Sequence, residues 1–156
     1  MKWRKLNGQV VGNDIVTIVE DTILREKIEG NEIKICVGTD SQVYKKHTEF
    51  ATVDVFLRKG SGGFMYINNY KEYKKLGLKV RMILEVSKSI EVAYSFCHLL
   101  DDYNVDLEVH ADINTNPQFK SNSALSEAMG YILSMGFQFK AKPNAFASSS
   151  CADKVV

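Results

Sequence analysis

Residues 33–42 read Ile-Lys-Ile-Cys-Val-Gly-Thr-Asp-Ser-Gln, a β-branched run that closes on a lone carboxylate, Asp40. The run has the composition of a strand, with Gly38 just before the acid and small polar residues around it. Ending a strand on an inward aspartate is costly, because a buried unpaired charge destabilises a fold by several kcal/mol. A counter-charge is therefore required, and a metal ion is the usual one. Three later acids, Glu85, Asp112 and Asp153, stand where a fold built on this strand can bring them to Asp40.

The chain around that stretch punctuates itself clearly. Asp14 is an N-cap for a helix carrying Ile15, Ile18, Val19, Thr22, Ile23 and Glu26 at helical spacing, ending at Gly30. After Asp40 a turn holds Lys45, Lys46 and His47, and residues 50–57 alternate as a second strand. Gly60-Ser61-Gly62-Gly63 turns the chain into a third strand at 64–67. That glycine cluster lies between two strands and lacks the GxxxxGK[ST] pattern, so it is a hairpin and not a phosphate cradle. A helix over about 80–101 reads as apolar on two faces, one with Val80, Ile83, Ser87, Tyr94 and His98, the other with Met82, Ser89, Ala93, Phe96 and Leu100. Both Glu85 and Glu91 lie on it, and periodicity does not choose between them. Residues 105–112 form a fourth strand ending on Asp112, parallel to the first through a right-handed crossover. A polar loop over 114–122, a helix capped by Asn122 or Ser123, an edge strand at 137–141 stopped by Pro143, and a last short helix capped by Ser148-Ser149-Ser150 complete the order. Asp153 is expected in the early turns of that last helix.

Composition narrows the function classes. At 156 residues, 45% hydrophobic and 25% charged, the chain suits one domain over 1–156, with an N-terminal arm and helix over 1–30. The formal net charge of +1 argues against strong non-specific nucleic-acid binding while leaving room for a local basic patch. Cys36, Cys97 and Cys151 are odd in number and scattered, so they read as reduced thiols, not a disulfide frame or a zinc site. No apolar run reaches spanning length and no signal-type segment follows the charged start, so the expected compartment is cytoplasmic.

Three antiparallel strands, then helix, strand, helix, strand and helix, with acids on strand one, the crossover helix, strand four and the final helix, resemble the ribonuclease H-like fold. Within it the chain is similar to the YkuK-type family. The residues that carry the likeness are Val37-Gly38-Thr39-Asp40-Ser41-Gln42, Glu85 with 87–93 behind it, His110-Ala111-Asp112-Ile113, Met135-Gly136-Phe137, and 142–149, Lys-Pro-Asn-Ala-Phe-Ala-Ser-Ser. The resemblance implies an α/β fold with a five-stranded mixed sheet flanked by helices. It also implies nuclease activity on a phosphodiester bond of RNA or an RNA–DNA hybrid. Two Mg²⁺ or Mn²⁺ ions about 3.5–4 Å apart would be held by hard oxygen ligands. Asp40 would bridge them, Glu85 and Asp112 would hold one, and Asp153 the other; four acids clustered without ions would repel, raising at least one pKa. The alternative is a non-catalytic module of the same fold that binds nucleic acid or protein.

Several residues keep two readings at this point. The Met1–Gly12 arm, with Lys2, Arg4 and Lys5 around Trp3, is either a frayed arm docked by its tryptophan or a nucleic-acid-facing arm. The basic run over 69–81, with Lys71, Lys74, Lys75, Lys79, Arg81 and the rings Tyr70 and Tyr73, is either a solvated face or a phosphate-contact surface. His110 is either a satisfied core histidine or a group behind the metals; His47 reads as a turn residue and His98 as core. Lys120 is either solvated or a phosphate contact. Asp112 also suits an Asx turn, and Asp153 a helix N-terminal charge.

Overall fold

The computed structural model describes residues 1–114 and 125–156. The β-branched stretch becomes β3 (Ile33–Val43), which pairs antiparallel with β4 (Thr48–Arg58), and β4 pairs antiparallel with β5 (Gly63–Glu72). The crossover returns β6 (Asp106–Asn114) parallel to β3, in register Gly38↔His110, and β7 (Gln138–Lys142) runs parallel to β6 at the edge. The sheet has seven strands, not the expected five, in the order β2-β1-β5-β4-β3-β6-β7. The two additional strands are the N-terminal arm, as β1 (Trp3–Lys5) and β2 (Val10–Gly12). Gly8 at φ 90° lets the arm turn back on itself, and Arg4↔Ile67 pairing lays β1 along the otherwise open edge of β5. The tryptophan inside this arm is fully buried, so the arm is docked rather than frayed.

Three helices cover one face: α1 (Ile15–Ile28), α2 (Leu78–Tyr103) and α3 (Leu125–Ser134). Asp14 caps α1 by accepting from the Val16 amide at 3.1 Å, and the six residues expected on the buried stripe of α1 are the six that are buried. Glu26 on that stripe receives a two-pronged contact from Arg58, both bonds 2.7 Å, which holds its carboxyl below the usual range. On α2 the two-faced reading fails. Met82, Glu85, Val86, Ser89, Ile90, Ala93 and Phe96 are buried, while Val80, Tyr94 and His98 face solvent. α2 packs on the sheet and is flanked by α1 and α3, and only a strip bearing Val80, Tyr94 and His98 is exposed, so these outward residues had mimicked a second core stripe. The opposite face of the sheet carries a short π-helical turn, Ala147–Ala152, over Cys36, Val53, Val55 and Ile67. Asp153 follows this turn as its C-cap, not within its early turns. Among the described residues no helix is long and apolar enough to cross a membrane, and the three thiols are free.

β4 holds a buried carboxylate with no partner. Asp54 is fully buried, both its oxygens lack a hydrogen-bond partner among the described residues, and burial pushes its pKa well above the ordinary value. A carboxyl whose folded pKa is raised contributes most below its unfolded pKa, and that contribution is lost as pH rises toward the folded pKa. Asp54→Asn removes the titration. The urea-unfolding free energy of the variant relative to the native chain is expected to rise from about pH 4 upward, by up to about 1.4 kcal/mol per pH unit. A pH-independent difference would show that Asp54 ionises freely.

Candidate metal centre at the sheet rim

Strand alternation sorts the rim residues. Thr39 and Ser41 point toward α2, where the Thr39 hydroxyl is 2.8 Å from that of Ser89 and the Ser41 hydroxyl donates to Glu85. Gly38 and Asp40 point to the opposite face, under the Ala147–Ala152 turn. A β-carbon at Gly38 would lie 2.4 Å from the Ser148 nitrogen and 2.5 Å from the Ala147 carbonyl carbon, so only glycine lets the turn sit this low. His110 faces the same side and accepts from the Ala147 amide at Nδ1, 3.1 Å away. Asp112 is two residues beyond His110, as Asp40 is two beyond Gly38, its registered neighbour. The Asp153 amide donates to the Ser148 carbonyl at 3.2 Å, which sets the last acid at the end of the turn.

Two of the four acids, Asp40 and Glu85, respond to the charge of neighbouring acids. Asp40 is pushed up to about 7, first by burial and then by the charges of Asp112 and Asp153, against a lowering hydrogen bond from the Ser41 backbone. Glu85 is buried and lifted well above the carboxylate range, by burial first and then by Asp40 and Asp112, with the Ser41 hydroxyl and Arg81 working the other way. Arg81 also donates to the Ser41 carbonyl at 3.2 Å. Lys142 places its ammonium 2.7 Å from Asp112. Glu91 is on the solvent side of α2, 3.7 Å from Lys88, so it is Glu85 that faces the cluster.

A second group, Cys36, Glu108 and His110, has ligand atoms all within 4.8 Å of one another and is buried. Its chemistry fits a clamp better than an ion site. The Ala147 amide occupies the Nδ1 lone pair, so the proton of a neutral imidazole sits on Nε2, which donates to Glu108 at 2.9 Å. An ion on Nε2 would need that proton gone while Nδ1 still accepts. The Cys36 thiol is pushed up to about 12 by burial and the Glu108 charge. Burial works to raise Glu108, but bonds from His110 and Lys34 outweigh it and lower the pKa; burial likewise lowers that of His110. His110 is thus a satisfied buried histidine. His47 is at the β3–β4 turn as expected, whereas His98 is exposed and not core, being on the exposed strip of α2. Lys120 and the 115–124 loop lie outside the described residues.

Ser41 and Lys142 entered the sequence reading only as motif residues, and Arg81 only as part of the basic run. Ser41 was legible by its place next to Asp40, and Arg81 by its position one turn before Glu85; nothing local marks Lys142. A groove of about 770 Å³ between the β1 turn, the β4–β5 hairpin and Phe146 contains none of the four acids.

Comparison with known proteins agrees with the fold. The profile of the family described as Ribonuclease H-like matches residues 14–156. A protein of Bacillus subtilis (strain 168) named Uncharacterized protein YkuK is 30% identical, covering 77% of this chain and 77% of its own length. No solved structure matches the chain.

Gly38→Ala is expected to lower the unfolding free energy by about 1–3 kcal/mol, because the new methyl meets backbone that must move. Urea denaturation measures this, and a neutral substitution would show that the Ala147–Ala152 turn is not held against β3.

Proposed function

The chain belongs to the ribonuclease H-like family, and from that premise we propose that it is a metal-dependent nuclease cutting phosphodiester bonds of RNA or an RNA–DNA hybrid. The observation that carries this reading is the mutual repulsion at one sheet rim, where Asp40 and Glu85 are each raised by burial and by neighbouring acids. Asp40, Asp112 and Asp153 offer oxygens from one face and Glu85 from the other, a hard donor set suited to two Mg²⁺ or Mn²⁺ ions. Bound there, such ions supply charge neutralisation at the phosphate and an activated attacking water. The surrounding residues do the positioning. The Ser41 hydroxyl fixes one Glu85 oxygen and Arg81 fixes Ser41 in turn. Lys142 neutralises Asp112, and its ammonium is free to pair with a substrate phosphate once Asp112 turns to an ion.

The Lys142–Asp112 pair also favours a second reading, since it eases the repulsion without metal. On that reading the chain is a non-catalytic module that binds nucleic acid or protein. Calorimetric titration with Mn²⁺ separates the two: uptake of two ions supports the nuclease, none supports the module. Asp40→Asn is expected to reduce Mn²⁺-dependent cleavage of a labelled RNA–DNA hybrid by at least about a hundredfold, with the urea-unfolding transition retained. Cleavage that persists in the variant, or in EDTA, would overturn the mechanism.

A further inference from the structure

Beyond the acid rim, the β3–β4 hairpin tip carries aromatic rings that no core absorbs. Tyr44 stacks on His47 with ring centroids 5.0 Å apart and planes 14° from parallel, and Tyr73 leans on His47 at 6.5 Å. Tyr73 is 84% exposed and Tyr44 40%. Tyr70, the other ring of the basic run, is different: it stacks on Phe50 and lies under Lys88, which makes it part of the scaffold. The tip is built and not merely adjacent. The buried Thr48 hydroxyl donates to the Lys74 carbonyl at 3.0 Å and accepts from the Leu76 amide at 3.3 Å, tying residues 74–76 to the first residue of β4.

Charge surrounds these rings. Lys45 and Lys46 on the tip, with Lys74 and Lys75 beside Tyr73, are exposed and have no ion-pair partner among the described residues. The acids near them are Glu49 and Glu72. Glu49 is already engaged, 3.9 Å from Lys71 and 3.8 Å from His47, and Glu72 pairs in register with Thr48 on β5. In a chain with net charge +1, this is a local concentration of positive charge. Its place matters too. Val43, the last residue of β3, is three residues beyond Asp40, about 10 Å along an extended strand. The Tyr44 hydroxyl donates to the backbone oxygen of Val156 at 3.4 Å, three residues beyond Asp153.

We infer that the Tyr44–His47–Tyr73 tip is a docking platform for single-stranded nucleic acid, with unpaired bases stacking on the exposed rings and phosphates meeting Lys45, Lys46, Lys74 and Lys75. Aromatic faces set among lysines are the combination such strands require, and stacking on them tolerates any base. The platform deepens the nuclease reading, on which its link to Asp40 rests: a strand threading the acid rim lays its flank on the tip.

The test uses the full chain in EDTA, a fluorescein-labelled oligouridylate of about a dozen nucleotides, and fluorescence anisotropy. Tyr73→Ala is expected to weaken binding about tenfold with the salt dependence unchanged, while Tyr73→Phe retains affinity because the ring and not the hydroxyl stacks. Replacing Lys74 and Lys75 together by Ala should reduce the slope of log affinity against log salt by about 0.7 per lysine. Tyr73 is exposed, so its loss leaves the fold intact. Absence of binding by the native chain, affinity of Tyr73→Ala within about twofold of native, or equal binding of a matched DNA duplex would overturn the platform. Because metal is absent from this assay, Mn²⁺ uptake reports on the nuclease reading separately. Strand binding lost on Tyr73→Ala in a chain that takes up no Mn²⁺ leaves the platform standing on a non-catalytic module.

Discussion

The bond from the Ala147 amide to His110 Nδ1, made over Gly38, is the contact on which the rim depends. It closes the face of the sheet that the long helices leave bare, and it does so with very little chain. Three strong constraints converge there: a strand position without a side chain, a neutral imidazole held by Glu108, and a tight turn whose last residue is followed by an acid. Asp153 belongs to a short segment that has few contacts of its own. Its place beside Asp40 is inherited from the clamp, since a six-residue turn has no helical stability independent of what it packs on.

This dependence explains which parts of the molecule were legible in the sequence. α1 announced itself because its side-chain period is set by one dominant neighbour, and β3 and β4 because their runs are buried on both faces. The stripe Ile15, Ile18, Val19, Thr22, Ile23, Glu26 faces a single core, and the acid-closed strand faces two covered sides. The parallel return to β6 followed from the crossover rule, and with it the approach of Asp112 to Asp40. The N-terminal strands were not legible because Trp3–Lys5 and Val10–Gly12 are each three residues long, too short to show a period. Only the vacant edge of β5 gives them a partner. On α2 the outward Val80 and Tyr94 blurred the stripe, so Glu85 and Glu91 could not be told apart until packing put one inside and the other beside Lys88.

The clamp was hidden for a different reason. Glu108 and His110 stand two apart on a strand, which is visible as an alternation, but what they hold is a backbone amide some forty residues on, and no side-chain pattern encodes an amide. Lys142 is equally silent: a lysine before a proline at a strand end is ordinary until Asp112 lies 2.7 Å away.

Burial of a carboxylate does not by itself mark a site in this protein. Glu26 is buried and held ionised by the two-pronged contact from Arg58; Glu108 is buried and held by Lys34 and His110. Asp54 is buried with nothing opposite it among the described residues, and burial lifts its pKa well above the ordinary value. Each of these is a closed account of one charge. The rim differs because its acids press on one another, Asp40 being raised by Asp112 and Asp153 and Glu85 by Asp40 and Asp112. Like charges gathered this way gain nothing from mutual proximity. Their arrangement is therefore a cost that packing elsewhere sustains, through Gly38, the Ala147 amide and the Ser41–Glu85 bond, with Lys142 beside Asp112 offsetting one of the charges.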